Sequence, residues 1–160
     1  MAGLEQEIGG LLRRKGLTLG VVESATGGLI SHLITNIAGS SDYYKGSITA
    51  YSNEIKIKVV GVEESTINQY GAVSHQVAEE MARGGRKILA VDICLADTGI
   101  AGPAGAASGK PVGLFYIGFS SQTGTYSRRH GFHENREQNK QNAAEAALRW
   151  LKEYLVSLGE

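Results

Sequence analysis

One short turn carries residue types that could act on a substrate, namely Glu23-Ser24-Ala25-Thr26-Gly27-Gly28. It follows an apolar run typical of a buried strand and precedes a run with helical periodicity. Glycine lets the backbone come close to a ligand, and the first N–H groups of a helix have no partners within that helix. Ser24 can therefore be a helix cap, a ligand for an anion such as phosphate, or a catalytic nucleophile.

A second glycine-rich turn, Thr98-Gly99-Ile100-Ala101-Gly102-Pro103-Ala104-Gly105, follows another predicted strand at 92–96. If the two strands are parallel, both turns lie at the carboxyl edge of one sheet, where open α/β sheets bind ligands. Two nests of backbone N–H groups at that edge could hold a phosphate. Equally, each could be a tight turn that binds nothing. The residues alone leave both interpretations open.

A candidate base lies in Tyr51-Ser52-Asn53-Glu54-Ile55-Lys56, at the end of a predicted strand. A lysine amine can take the proton of a serine hydroxyl if burial lowers its pKa towards about 7–8, and it can then protonate a leaving amine. The spacing does not separate Lys56 from Lys45 or Lys58. A solvated surface lysine is the ordinary interpretation of each.

Nucleotide-binding and metal-binding motifs are incomplete. Gly109-Lys110 resembles the end of a Walker loop, but Ala104 and Pro111 stand where that motif requires glycine and Ser/Thr. The second turn also lacks the G-x-G-x-x-G spacing of a dinucleotide site. His130 and His133 point to opposite faces of a predicted strand, and no Cys or carboxylate cluster completes a zinc site. We therefore expect neither ATP hydrolysis, Rossmann-type binding nor a metal.

The elements that position these residues follow from periodicity and turn signals. Predicted helices cover 3–15, 27–37, 54–60, 63–69, a long segment capped by Ser74 and ending at Leu89, and 135–158. Predicted strands cover 18–22, 47–51, 92–96, 112–120 and 125–132. This alternation, with one late hairpin, predicts a single domain over 1–160. Its class is α/β, a three-layer α/β/α sandwich around a mixed, mostly parallel sheet.

Two helical stripes are expected to be apolar contact surfaces. In the long helix, Val77, Met81 and Ile88 should face the core. In the last helix the stripe suits either the core or an interface between copies of the chain, so a homodimer or higher homo-oligomer is possible. It contains Ala144, Leu148, Leu151, Leu155 and Leu158.

Composition narrows the class of protein. The 160 residues carry 16 acidic and 16 basic side chains, so nothing indicates a nucleic-acid partner. Apolar runs are too short for a membrane span, and the N-terminus does not resemble a signal peptide. Cys94 is the only cysteine, which excludes an internal disulfide. We expect a cytoplasmic protein without a membrane partner.

Six blocks stand in the order found in one known family, and together they are specific. Between residues 23 and 118 the chain resembles the C-terminal domain of the competence/damage-inducible protein CinA. The blocks are Glu23–Gly28, Ile37–Ser41, Tyr51–Glu54 with Lys56, Gly71–Ser74, Thr98–Pro103 and Lys110–Gly113. The usual N-terminal molybdopterin-binding-like domain of full-length CinA is missing, so its pyrophosphatase activity is not expected.

The resemblance implies a cofactor-free amidohydrolase. It would convert nicotinamide mononucleotide and water to nicotinate mononucleotide and ammonia, in pyridine-nucleotide salvage. Carried over by motif, Ser24 is the nucleophile, Lys56 the general base and Tyr51 a hydrogen-bonding support. N–H groups of Thr26, Gly27 and Gly28 are expected to hold the oxyanion. Asn53, Arg136 and the loop positions Thr98, Gly99, Gly102 and Gly105 are expected to bind the nucleotide substrate.

The chain departs from the family pattern at several positions. Asp97 stands where the family has a small or apolar residue, and it could repel a phosphate or tune Lys56. Downstream of Arg136 the chain carries Lys140 and Gln141 where an arginine signal is expected. One alternative is therefore a non-catalytic nucleotide-binding or interaction module, and another is an amidase for a different heterocyclic amide. Because Ser24, Tyr51 and Lys56 are all present, an enzyme is favoured.

Overall fold

A five-stranded mixed sheet forms the middle layer of the protein, with strand order β2-β1-β3-β4-β5. The computed structural model describes residues 3–105 and 109–159. The strands are β1 (Leu19–Glu23), β2 (Tyr44–Thr49), β3 (Ile93–Gly99), β4 (Leu114–Ser121) and β5 (Gly124–Gly131). β1 pairs in parallel with β2 and β3, whereas β3–β4 and β4–β5 are antiparallel. Four strands therefore point one way and β4 alone is reversed.

Helices cover both faces of this sheet. They are α1 (Leu4–Lys15), α2 (Leu29–Thr35), α3 (Asn53–Ile55), α4 (Glu64–Tyr70), α5 (His75–Leu89) and α6 (Arg136–Ser157). α3 continues directly into a π-helical turn, Lys56–Val60, and a 3₁₀ turn spans Ser40–Asp42. α1, α2 and α6 pack together on one face, while α5 packs on β1, β3 and β4 on the other. The predicted three-layer α/β/α fold is confirmed.

Apolar burial on each face explains this arrangement. β1 is buried along its whole length, as expected for a strand covered on both sides. The stripe of α6 at Ala144, Leu148, Leu151 and Leu155 is fully buried against the sheet, so these residues are core. Leu158, predicted to continue the stripe, is instead 44% exposed, because α6 ends at Ser157.

Two other predictions need correction. Ile88 was expected to face the core with Val77 and Met81, but it is 50% exposed. It lies on the last turn of α5, in a surface groove with Val59 and Lys87. β2 also begins earlier than the predicted 47–51, since its pairing with β1 starts at Tyr44.

The carboxyl ends of β1, β2 and β3 meet at one edge, as their parallel pairing requires. Ser24 follows β1, Tyr51 lies just past β2, and Ile100 follows β3. The chemically interesting segments are thereby brought together. None of the helices within the described residues is long and apolar enough to cross a membrane.

Candidate active site

A pocket of about 320 Å³ lies at this carboxyl edge. Its volume is at the lower end of the range of small-molecule sites, about 300–1,000 Å³. Nine residues singled out in the sequence share its wall, and they come from four separate segments of the chain. They are Ser24, Tyr51, Asn53, Lys56, Thr98, Gly99, Gly102, Gly105 and Arg136. Ala25, Ala72, Val73, Ile100, Ala101 and Ala104 complete the lining.

The fully buried side chain of Glu23 stabilises the turn that carries Ser24. Its carboxylate accepts N–H bonds from Gly28 at 3.2 Å, Ile30 at 2.9 Å and Ser31 at 2.9 Å. It thus occupies the N-terminus of α2, where a negative charge meets the positive end of the helix dipole. This fixes the angle between β1 and α2, and hence the position of Ser24.

Asp97 holds the same turn from the neighbouring strand. Its carboxyl group is fully buried in β3 and accepts the Ser24 N–H at 3.0 Å and the Thr26 N–H at 3.1 Å. Asp97 does not line the pocket, so it does not face a bound phosphate. Burial is the main reason why the pKa of Asp97 rises to about 6. Asp97 therefore acts on the turn rather than directly on a ligand.

The oxyanion role expected of Thr26, Gly27 and Gly28 does not fit the structure. Their N–H groups already donate to Asp97, to the Ser24 carbonyl and to Glu23 respectively. None of the three residues lines the pocket. Among the described residues no acceptor is found for the Ala25 N–H, and Ala25 does line the pocket. The N–H of the residue after the nucleophile is the usual oxyanion donor of a strand–turn–helix serine.

Lys56 is the buried lysine of this region, with only 2% of its surface exposed. It lies on the π-helical turn, and its Nζ donates to the Tyr51 carbonyl at 3.1 Å. Desolvation by burial lowers the pKa of Lys56, while the nearby Asp97 carboxylate raises it to a lesser extent. Lys58, in contrast, is solvated and pairs with Glu54. The structure thus singles out Lys56 among the candidate lysines.

Ser24 Oγ and Lys56 Nζ face the same pocket but make no hydrogen bond with each other in the part of the chain that the structure describes. Such contacts are often long without substrate and tighten in the complex. A neutral amine that donates one hydrogen to Tyr51 O still has its lone pair free to accept the serine proton. Lys56 is therefore a candidate base for Ser24 if the two side chains come within hydrogen-bond distance.

Arg136 forms the cationic wall of the pocket. Its guanidinium donates to the Gly102 carbonyl at 2.7 Å and to the Tyr51 hydroxyl at 3.3 Å. These two bonds occupy some of the guanidinium N–H donors and fix the orientation of the others. Lys140 does not line the pocket; its Nζ lies near Gly27, on the outer side of the Ser24 turn. Arg136 is thus the cation available to an anionic ligand there.

The second glycine-rich turn is positioned by residues that the sequence analysis did not select. Asn139 is fully buried in α6, and its Nδ2 donates to the Ala101 carbonyl at 3.0 Å. A polar amide one turn before the apolar α6 stripe was the signal that could have identified it. Lys110 donates to the carbonyls of Tyr70 and Val73 and so ties the far side of the loop to the α4–α5 connection.

Glycine is required where the second turn leaves β3. A Cβ on Gly99 would lie 2.3 Å from the ring of Phe115 on β4. The Thr98 hydroxyl donates to the Ala72 carbonyl at 2.8 Å, so it fixes the pocket wall. In the described ranges, no group of three or more His, Cys, Asp or Glu side chains could hold a metal ion.

Comparison with known proteins agrees with this architecture. The family model described as the CinA C-terminal domain matches residues 1–155. A CinA-like protein from Salinibacter ruber is 47% identical over 145 residues, 91% of this chain and 35% of the relative. A protein from Halothermothrix orenii, named as competence-damage inducible, is 48% identical over 155 residues, 95% of this chain and 37% of the relative. The chain thus spans little more than a third of the length of these curated relatives.

Solved structures show the same fold. The competence damage-inducible protein A from Klebsiella pneumoniae superposes with a TM-score of 0.93 at 29% identity, covering 96% of this chain and 95% of that one. The competence/damage inducible protein CihA from Agrobacterium tumefaciens gives a TM-score of 0.86 at 31% identity, covering 100% and 98%. Because the family model matches residues 1–155, nearly the whole chain, the protein belongs to the CinA C-terminal domain family.

Proposed function

We propose that this protein is an amidohydrolase that converts nicotinamide mononucleotide to nicotinate mononucleotide and ammonia. The observation that carries the proposal is a serine and a buried lysine of lowered pKa in one pocket, beside an arginine. The substrate follows from the resemblance of the motif blocks to the CinA C-terminal domain. Its carboxamide needs a nucleophile and its phosphate needs a cation, and the pocket offers both.

In the first step Ser24 Oγ attacks the carboxamide carbon while neutral Lys56 takes the hydroxyl proton. Negative charge develops on the carboxamide oxygen, and the Ala25 N–H is the candidate donor to it. Burial favours the neutral amine that this step needs, because it penalises the charged form of Lys56.

In the second step the C–N bond breaks, and protonated Lys56 gives its proton to the departing ammonia. This leaves an ester between Ser24 and the nicotinoyl carbonyl. Lys56, neutral again, can accept a proton from the water that attacks this ester. As the ester C–O bond breaks, Lys56 returns this proton to Ser24 Oγ, and the nicotinic acid releases its own proton to solvent as nicotinate. The enzyme is thus regenerated without consuming a cofactor.

Arg136 is the candidate phosphate ligand, since it is the cation on the pocket wall when the Lys56 amine is neutral. Arginine presents paired donors that match phosphate oxygens. The bond to the Tyr51 hydroxyl couples the two side chains, so Tyr51 helps to orient the arginine as well as its own segment. Asn53 and the loop from Thr98 to Gly105 would enclose the ribose and ring.

The deciding experiment measures ammonia release from nicotinamide mononucleotide, with free nicotinamide and its riboside as comparison substrates. Ser24→Ala and Lys56→Met should each lower kcat by at least about 1,000-fold with the fold intact. Lys58→Met is the matched control, because this lysine is solvated on the same turn, and it should retain wild-type activity. Full activity in Ser24→Ala or Lys56→Met contradicts the mechanism, and a preference for free nicotinamide contradicts the phosphate role of Arg136.

A second candidate function is nucleotide binding without turnover. It is favoured by one observation, the lack of a hydrogen bond between Ser24 Oγ and Lys56 Nζ among the described residues. It predicts saturable binding of nicotinamide mononucleotide, lost in Arg136→Ala, with no ammonia released. The same assay, paired with calorimetric titration of the nucleotide, separates the two functions.

A further inference from the structure

The Thr26 hydroxyl lies between two carboxyl groups. Its Oγ1 is 2.6 Å from Oε1 of Glu23 and 2.5 Å from Oδ1 of Asp97. All three side chains are buried, and neither acidic residue has measurable exposure. Thr26 belongs to the turn that carries Ser24, and Asp97 on β3 binds the N–H groups of both residues. Glu23, Thr26 and Asp97 thus form one hydrogen-bonded triad that supports this turn.

Few protons are available to join these three side chains. A threonine hydroxyl carries one proton, and an ionised carboxylate can only accept. If both acids were ionised, one of the two short contacts would join oxygen atoms with no hydrogen between them. In a buried setting such a contact is strongly repulsive. The geometry therefore requires one more proton, which one of the two carboxyl groups must hold.

The surroundings of the two acids decide which one holds it. Glu23 accepts three N–H bonds at the first turn of α2 and gains from the helix dipole, so its site suits an anion. Asp97 lies inside the sheet and accepts two backbone N–H bonds. Burial raises its pKa to about 6, and the nearby Glu23 charge adds to the rise. The proton is therefore better placed on Asp97.

We propose that Asp97 is a positioning residue that works as a neutral acid: it donates its proton to Thr26 Oγ1, and Thr26 in turn donates to Glu23. In this form its two oxygens still accept the N–H groups of Ser24 and Thr26. Asp97 thus fixes the backbone on both sides of Ala25 without placing a second negative charge under the nucleophile. The positioning of a nucleophile rests on the function proposed above; the protonated triad itself does not.

Loss of the Asp97 proton would act on the site in two ways. The charged groups facing Asp97 are Glu23 from β1 and Lys56 from the π-helical turn. First, ionised Asp97 would compete with Glu23 for the single Thr26 proton, and repulsion between the two anions would push the turn apart. Second, the charge on Asp97 would raise the pKa of the Lys56 amine and favour its protonated, inactive form. Both effects oppose attack by Ser24.

The first test follows the carboxyl carbon of Asp97 by NMR during a pH titration of the whole protein, with the signal assigned by its loss in Asp97→Asn. The midpoint is expected at or above about 6, compared with the ordinary 3.8. A midpoint near about 4 would overturn the proposal. This measurement needs no activity, so it stands even if nicotinamide mononucleotide is not a substrate.

The direction of donation is tested with two substitutions at Thr26. In Thr26→Val the Asp97 proton loses its acceptor, so the midpoint should fall. If Thr26 instead donates to an ionised Asp97, the same change should raise it, and that result contradicts the proposal. Thr26→Ser keeps the hydroxyl and is the matched control, with an unchanged midpoint expected.

The role in positioning is tested by the pH dependence of kcat. The wild-type protein should give a bell-shaped profile, because Lys56 must be neutral and Asp97 protonated. The two apparent pKa values of this profile describe the interacting pair and not either residue alone. Asp97→Asn cannot ionise, and one amide hydrogen must face a backbone N–H. Its kcat should fall by about 10-fold to 100-fold with KM unchanged, and the falling limb should disappear. A falling limb that persists at the same pH would refute the role, whereas no turnover in the wild type would count only against the proposed function.

Discussion

Glu23 shows how one buried side chain can organise a site without touching a ligand. It lies outside the pocket lining, yet its carboxylate binds the N–H groups of Gly28, Ile30 and Ser31 and the hydroxyl of Thr26. These donors would otherwise be the unpaired groups at the start of α2. Glu23 therefore sets the geometry of the whole Ser24 turn.

We expect Glu23→Gln to be strongly destabilising. The amide keeps the volume of the side chain but loses its charge and exchanges one acceptor for a donor that faces N–H groups. Hydrogen bonds to a buried charge contribute about 1.5–3 kcal/mol each. The free energy of unfolding should fall by about 2–4 kcal/mol, measured by urea denaturation at neutral pH.

Glu54→Gln provides the control for this substitution. Glu54 is 67% exposed in its side chain and pairs with the equally solvated Lys58. The same chemical change there should alter stability by no more than about 0.5 kcal/mol. Equal losses at the two positions would show that the capping role assigned to Glu23 is wrong.

The residues that line the candidate site could largely be predicted from sequence. The partners of the backbone N–H groups in the Ser24 turn could not. Ser24 and Lys56 were identified from motif blocks and Arg136 from the family resemblance of the last helix, and all three line the pocket. Gly27 and Gly28 were expected to face a ligand, but their N–H groups are used by the protein itself. The sequence shows which N–H donors follow one another along a turn. It does not show which carboxylate accepts their hydrogen bonds.

Among the helices, α5 positions the turn that carries Lys56 through a close backbone contact. A Cβ on Gly84 would lie 2.2 Å from the carbonyl oxygen of Val60, the last residue of the π-helical turn. Because the obstructing atom belongs to the backbone, the contact cannot be relieved by rotating a side chain. The spacing between α5 and this turn therefore requires glycine at position 84.

Gly84→Ala should displace the π-helical turn and weaken both stability and catalysis. Overpacking of this kind costs about 1–3 kcal/mol, and a shift of Lys56 relative to Ser24 should lower kcat more than it changes KM. Gly10→Ala on α1 is the matched control, since its Cβ would approach only the mobile end of Arg14. There the better helix propensity of alanine should raise stability by up to about 1 kcal/mol. If Gly84→Ala behaves like Gly10→Ala, the close-contact explanation fails.

The order and type of the elements could be predicted because buried strands and amphipathic helices leave strong periodic signals. The differences arise where tertiary contacts decide. β2 is an edge strand with alternating exposure, so its first residues lack the apolar run that marked β1. Ile88 has nearly the helical phase of Val77 and Met81, but its side chain lies in the groove beside the π-helical turn, whereas the next residue, Leu89, packs towards β1. Periodicity gives the direction of a side chain and not what covers it.

For the whole molecule, the buried Asp97 predicts how stability depends on pH. Its pKa is raised in the folded state, from 3.8 to about 6, so the folded protein holds a proton that the unfolded chain releases between these values. The stability that Asp97 contributes is therefore complete below about pH 4 and is lost as the pH rises through about 6.

Stability curves of wild-type protein and Asp97→Asn should converge or cross over this range. At about 1.4 kcal/mol for each pH unit, the difference between them should shift by about 2 kcal/mol in favour of Asp97→Asn between pH 4 and pH 7. Urea denaturation at several pH values measures it. Parallel curves would mean that Asp97 ionises in the folded protein as it does in the unfolded chain.

The pocket draws its wall from Ser24, from the segment after β2, from the α4–α5 connection, from the loop after β3 and from the start of α6. The central strand β3 pairs with β1 across a long stretch of chain, and α6 must dock before Arg136 and Asn139 reach the loop. No partly folded form can therefore present a complete site. Recovery of ligand binding during refolding should coincide with completion of the slowest long-range contacts, which makes the site a probe of folding as a whole.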